Sequence, residues 1–403
     1  MSNSKNFTKK TFASVVSQHL RDFQKNTFLI FISVSVLISI YRLIFMWRIS
    51  ISQFYADEAN WAVVASSSNF IRNAFTPDAG YWVPLTRSVF WIVFKSSSTP
   101  EIILHLFGCL IVGFCCSSLI LFRNIKIKLF KKVILALCLG CYQSFDLLLW
   151  MNLNYYLFIV CCFLLLDRIT QNEVAKSKIR NIFIILLFVS LGKPQLSLSC
   201  CFLILAVLMI RNFRLASIRE WYFEISLLVL LVTSVLFSRI NASHLELQIT
   251  SENFFYAFAG VLTTPFILFL PIFAIGNAKM SEMFSNTIYD WAFDSASITF
   301  SLAFFAFLIL CCKRIENRDS LKFFSFGIIP LYSSLFIFTN TGWASNYFWN
   351  NSCISCMSSR HIFPVYFLAI MILQTYAKKR YLFFLLVQIL CLNFIYLFER
   401  QIF

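Results

Sequence analysis

Two adjacent carboxylates, Asp57 and Glu58, stand in the stretch Phe54-Tyr55-Ala56-Asp57-Glu58-Ala59-Asn60-Trp61, shortly after a long apolar segment closes at Trp47. A carboxylate held at the rim of an apolar region can act as a general base, taking the proton of a hydroxyl as its oxygen becomes a nucleophile. Alone, such a pair equally fits two solvated charges beyond a helix end. Its company favours chemistry. The run Asp78-Ala79-Gly80-Tyr81-Trp82-Val83-Pro84-Leu85-Thr86-Arg87 follows in the same interval, with Gly80 and Pro84 as turn punctuation. Arg87 then enters an apolar stretch, where a guanidinium requires a partner.

Further cations occupy segment ends. Lys193 is the only charge in Leu191-Gly192-Lys193-Pro194-Gln195, which joins two apolar segments. It reads either as a lysine snorkelling to an interface or as a point charge for a phosphate. Ser358-Ser359-Arg360-His361-Ile362-Phe363-Pro364 places Arg360 and His361 at the start of another apolar segment. A helix N-terminus favours anions, and an arginine beside it strengthens that preference; the plainer alternative is a topological anchor. Asp146, Asn152 and Asn154 add polar groups, as do Asp290 and Asp294, whose spacing puts them on one helix face. The four histidines share no spacing, and neither an HExxH, a paired CxxC nor a Gly-rich phosphate loop occurs, so no metal site and no cofactor are expected.

The elements that must hold these residues are apolar. With 59% hydrophobic and 13% charged residues and a mean hydropathy of +0.77, the chain reads as an integral membrane protein. Backbone groups in lipid must be satisfied internally, and alternation suited to a β-barrel is missing, so the expected form is a helical bundle. Apolar segments fall at 28–47, 101–122, 133–150, 154–167, 181–192, 195–210, 221–238, 296–312, 322–339, 361–376 and 381–398. Most of the 34 lysines and arginines cluster between them, from Lys5 to Lys25, Arg123 to Lys132, Arg168 to Arg180, Arg211 to Arg219, Lys313 to Lys322 and Lys378 to Arg380. With every cluster cytoplasmic, the segments alternate and give about 11 spans. The net charge of +16 therefore reports topology rather than nucleic-acid binding.

Two stretches stay outside that count: 83–94 is too short to span, and 254–275 is interrupted by Pro265 and Pro271. Both are expected to be interfacial or re-entrant. The result is a single polytopic domain, 1–403, with a basic cytoplasmic N-terminus at 1–27 and a first outward loop at 48–100 carrying the candidate catalytic residues. Outward loops are also expected at 239–295 and 340–360. The first apolar run lacks a small-residue cleavage site and is expected to stay as an anchor. Most of the 14 cysteines lie inside apolar runs as small hydrophobes, while Cys353 and Cys356 fall in an outward loop where a bridge or two free thiols are both open.

Taken together, these residues resemble bacterial polytopic membrane proteins with the GT-C glycosyltransferase fold. The likeness lies in the acidic pair Asp57-Glu58, in Ala79-Gly80-Tyr81 with downstream Pro84 and Arg87, in Lys193-Pro194, and in Arg360-His361 with Pro364. The resemblance implies an all-α, GT-C-like bundle with interfacial helices in the first outward loop, multi-pass in the bacterial inner membrane. It implies transfer of a hexose or related sugar from a polyprenyl-phosphate-linked donor to a surface-glycan acceptor, such as O-antigen, or a lipid-linked acceptor on the non-cytoplasmic face. By that similarity Asp57 is the first choice as base and Glu58 the second. Arg87, Lys193 and Arg360 are candidates for the lipid phosphate, and Asp78, Tyr81 and His361 join them as substrate-binding residues. The expected partners are donor, acceptor and membrane lipids, with no nucleic acid.

One departure is that many relatives carry a large extracytoplasmic C-terminal domain, whereas here the sequence ends soon after the last apolar segment. Acceptor recognition would then fall to the loops. A polysaccharide polymerase or ligase is the nearest rival reading, but such proteins usually place key arginines in a large late outward loop. A transporter or lipid-oligosaccharide flippase is the rival from another class. It would show internal repeats and polar groups near midmembrane; no convincing repeat is present, and Arg42 is the main charge deep within an expected span.

Overall fold

The computed structural model describes residues 26–47, 57–76, 83–122, 125, 127–141, 153–169, 176–192, 196–210 and 221–240, with isolated helical positions at 299–306 and 383–390. Among them every regular element is helical and there is no strand. The helices are α1 (Asn26–Trp47), α2 (Asp57–Ser67), α3 (Phe70–Phe75), α4 (Pro84–Ser96), α5 (Pro100–Ser117), α6 (Leu129–Cys141), α7 (Leu153–Ile169), α8 (Lys176–Gly192), α9 (Ser197–Ile210) and α10 (Tyr222–Ile240). The expected spans beyond residue 240, the 254–275 stretch, Asp146, Asn152, Asp290, Asp294 and Cys353/Cys356 lie outside the described residues.

Local chemistry explains several boundaries. Proline opens both α4 and α5, where its missing N–H is one the helix could not have used. The Asn69 side chain caps α3 by accepting from the Arg72 backbone N–H at 2.8 Å. At the far end of α5, Ser117 and Ser118 return their hydroxyls to the carbonyls of Gly113 and Cys115, each at 2.7 Å. Such back-bonding competes with the α-helical ladder, and the chain tightens into a 3-10 turn over Ser118–Leu121.

Two helices, Asn26–Trp47 and Pro100–Leu121, are long and apolar enough to cross a membrane, at 22 residues each. α1 leaves Phe28, Ile32, Val36, Ile40 and Ile44 exposed at successive turns, and α5 does the same with Ile103, Leu106, Leu110 and Phe114. α7 is the opposite case. Tyr155, Tyr156, Phe158, Ile159, Phe163, Leu165 and Leu166 are all buried, so α7 runs through the middle of the packed helices. All nine described cysteines inside the apolar helices are buried free thiols, as expected of small hydrophobes.

Helix ends sort into two groups. Thr86 near the start of α4, Asn154 at the start of α7 and Gly192 closing α8 meet one another, and Tyr156 in the first turn of α7 meets Arg42 near the end of α1. At the opposite ends, Lys132 in α6 donates to the Phe122 carbonyl left open after the 3-10 turn, and Arg180 in α8 pairs with Glu224 in α10 at 2.8 Å. The helices are longer at this second end than the apolar runs alone suggest. α6 begins at Leu129 rather than 133 and α8 at Lys176 rather than 181, so Lys132 is a buried carbonyl cap, not a solvated member of its basic cluster. The 83–94 stretch is matched by α4, a helix of 13 residues packed between α2, α3, α5 and α8.

Candidate functional site

The first group of helix ends carries the polar chemistry. α2 buries one stripe, Glu58, Trp61 and Ala65, spaced so that all three fall on one side of the helix. Glu58 reaches His105 of α5, with Oε2 and Nε2 3.4 Å apart and both side chains essentially sealed from solvent, at 1% and 0% exposure. An ionised carboxylate removed from water costs several kcal/mol unless paired, and removing one partner of a buried pair costs about 3–5 kcal/mol. The imidazole thus gives the carboxylate a place inside the helices, and the two together can hold a proton.

Arg87, on the first turn of α4, is buried beside that pair's helix. Its Nε donates to Asn73 Oδ1 of α3 at 3.4 Å, and its guanidinium lies over the Trp61 ring of α2, 5.4 Å from the centroid. Trp61 in turn packs edge-on against Phe90, one turn along α4 from Arg87. The guanidinium therefore has an aromatic face on one side and an amide oxygen on another, an arrangement that Arg supports better than Lys because it is planar and weakly hydrated.

Next to Arg87 in the chain, Thr86 ties three helices together. Its hydroxyl donates to the Gly192 carbonyl at 2.8 Å and accepts from Asn154 Nδ2 at 3.1 Å. A Cβ at Gly192 would sit 2.6 Å from Asn154 Oδ1, so a larger residue there would have to displace the Asn154 amide. Arg42, the deep charge of α1, is likewise held by α6 and α7: its Nη1 donates to Tyr156 Oη at 2.9 Å and to the Gly140 carbonyl at 3.4 Å, and its guanidinium lies 5.2 Å from the Tyr156 ring centroid.

Of the residues singled out from the sequence, Glu58 and Arg87 are thus brought to the same end of the helices, bridged through Trp61, which lies one turn beyond Glu58 on α2. Asp57 is the first residue of α2; its side chain, and all of Asp78, Tyr81, Lys193, Arg360 and His361, lie outside the described residues. Four partners were not identified from sequence: His105, Asn73, Thr86 and, as an aromatic platform rather than an interfacial ring, Trp61. A histidine inside an apolar run was the one readable signal, since it must be satisfied by something. Among the described residues no group of three or more metal-ligating side chains forms. The chain matches no family model, no curated protein and no solved structure.

Proposed function

We propose that this chain is a multi-pass membrane glycosyltransferase of the GT-C type, moving a sugar from a polyprenyl-phosphate donor to a glycan or lipid-linked acceptor. The reaction would take place on the non-cytoplasmic face of the bacterial inner membrane. The observation that carries the reading is the juxtaposition of an acidic α2 terminus with a buried arginine on α4, at the end of the helices opposite Lys132 and Arg180. The apolar rows exposed along α1 and α5 support membrane insertion, because contiguous large apolar surface of that kind needs a lipid or protein cover. A wider bundle of about 11 spans follows from the positive-inside pattern of the whole sequence.

In this mechanism a carboxylate of the pair, Asp57 first and Glu58 second, takes the proton from an acceptor hydroxyl. The hydroxyl oxygen forms a bond to the anomeric carbon as the bond from that carbon to the phosphate oxygen breaks. The polyprenyl phosphate leaves with the electron pair, and guanidinium groups, Arg87 among them, offset the charge that develops on it. Lys193 and Arg360 are proposed to serve the same phosphate. Glu58 is enclosed against His105, which favours Asp57 as the residue that meets the acceptor.

The test is reconstitution of the purified protein in liposomes containing a polyprenyl-phosphate hexose and an acceptor glycolipid. Covalent transfer, seen as a mass increase of the acceptor by one sugar, is the expected result. Movement of the lipid-linked sugar between leaflets without any covalent product would overturn the enzyme assignment in favour of a flippase.

A further inference from the structure

The three short helices between α1 and α5 do not present one kind of surface. α2 turns outward small or polar residues, Ala59, Asn60, Ser66 and Ser67, with Val63 the single large apolar side chain exposed among them. α3 turns outward Ile71 and Phe75, one turn apart and 68% and 53% exposed, together with Arg72, its only charge. On α4, Leu85 and Ile92 are exposed two turns apart, on the side away from the buried Arg87 and Phe90, and Lys95 is exposed one turn beyond Ile92. α3 and α4 are fastened to each other through the chain neighbours of Ile71 and Ile92: the Phe70 ring meets Trp91 edge-on at 5.4 Å, and Trp91 Nε1 donates to the Ser68 carbonyl at 3.1 Å.

Large apolar side chains gathered on a surface need a cover, and the charges beside these select it. The exposed charges of α3 and α4 are both positive and sit on long stems, which can lie along apolar surface while the head reaches a phosphate. Lys95 uses one N–H on the Ser66 carbonyl, at 3.1 Å, and keeps its others for a further acceptor. A second copy of the chain is a poor cover, because a two-fold contact sets a patch against itself and would bring these cations toward their own kind. Lipid of negative charge matches both the apolar rows and the cations at their edge. α4 has 13 residues and is about 20 Å long, so its outer face meets one leaflet only. We propose that α3 and the outer face of α4 dock on anionic phospholipid, with Ile71, Phe75 and Ile92 at the boundary of acyl chains and headgroups, Arg72 and Lys95 at the phosphates, and the outer face of α2 in water. The inference rests on the membrane part of the reading above and not on sugar transfer.

The test places a fluorescent non-natural amino acid, one position at a time, at Ile71, Ile92, Ser67 and, in α1, Val36. Each protein is reconstituted in vesicles of phosphatidylcholine and phosphatidylglycerol in equal amounts. Quenching is measured with phospholipid brominated beside the headgroup, with phospholipid brominated at the chain end, and with aqueous iodide. A second arm compares brominated phosphatidylglycerol with brominated phosphatidylcholine at Ile71, in the otherwise wild-type chain and with Arg72→Gln. All of these positions are exposed, so the labels and the substitution leave the packed side chains in place.

Ile71 and Ile92 should be quenched by bromine beside the headgroup, Ser67 by iodide alone, and Val36 by bromine at the chain end. Phosphatidylglycerol should quench Ile71 in preference to phosphatidylcholine, and Arg72→Gln should lower that preference by about 5-fold. Iodide quenching of Ile71 and Ile92 without lipid quenching overturns the docking surface, and so does silence toward both quenchers, which would mean that protein covers this face. Equal quenching by the two headgroups, unchanged by Arg72→Gln, overturns the anionic assignment. Val36 quenched by lipid with Ile71 and Ile92 unquenched would remove the docking surface and leave the membrane reading standing; the opposite pattern would keep the docking surface on a protein that does not span.

Discussion

At the scale of single residues, the pair of acids was visible in the sequence but the group that holds one of them was not. His105 sits in an apolar run with no spacing relation to Glu58, and only the packing of α2 and α5 against α4 brings the two to 3.4 Å. Arg87 presents the complementary case. Its entry into an apolar stretch already demanded a partner, yet Asn73 and Trp61 depend on how α3 and α2 fold back onto α4. The Glu58–His105 contact carries a direct prediction about stability. His105→Leu takes the imidazole away from a buried carboxylate and should cost about 3–5 kcal/mol, while Glu58→Leu takes the carboxylate away from an imidazole, which can be neutral, and should cost less. The double Leu variant removes both polar groups, so its loss should fall short of the sum of the singles by at least about 1 kcal/mol. Unfolding in detergent measures the cycle, and strictly additive losses would show that the two side chains do not depend on each other.

The helices themselves were more legible than their contacts. Pro84 and Pro100 mark the starts of α4 and α5, and the apolar run up to Trp47 lies in the 22-residue stretch of helix from Asn26. What the apolar pattern did not reveal was the depth to which charged turns extend the helices, as at Lys132, or where two helices touch. Contact is decided by residues with little side chain. At Gly113 an added Cβ would collide with Ser39 Oγ and the Ser35 carbonyl of α1, and Ser39 itself donates to the Cys109 carbonyl of α5 at 3.1 Å. α1 and α5 therefore meet backbone to backbone at this point. Gly113→Val should push them apart and lower stability by about 1–3 kcal/mol, since overpacking against a carbonyl finds little room to relax. Leu110→Val, on the exposed side of the same helix at 57% exposure, should change it by less than about 0.5 kcal/mol. Equal unfolding midpoints for the two variants would contradict the close crossing.

For the molecule as a whole, hydropathy alone separates the long apolar helices from the interval between Trp47 and Pro100, and the described part of that interval holds three short helices, α2 to α4, of 11, 6 and 13 residues. The convergence of their polar groups with the ends of α5, α7 and α8 was not readable, because it is built on backbone carbonyls such as that of Gly192 and on neutral side chains such as Thr86 and Asn154. The proposed activity stands or falls at this end of the molecule. The measurement that bears on it most directly is sugar transfer in liposomes by Asp57→Asn beside the wild-type protein, with the amount of inserted protein determined in the same vesicles. Asparagine keeps the size and hydrogen-bonding reach of aspartate but cannot accept the proton, so turnover should fall by about 100- to 10,000-fold at unchanged abundance, with Glu58→Gln the milder of the two. Near-normal turnover in Asp57→Asn, in Glu58→Gln and in the double variant would contradict catalysis by this acidic pair.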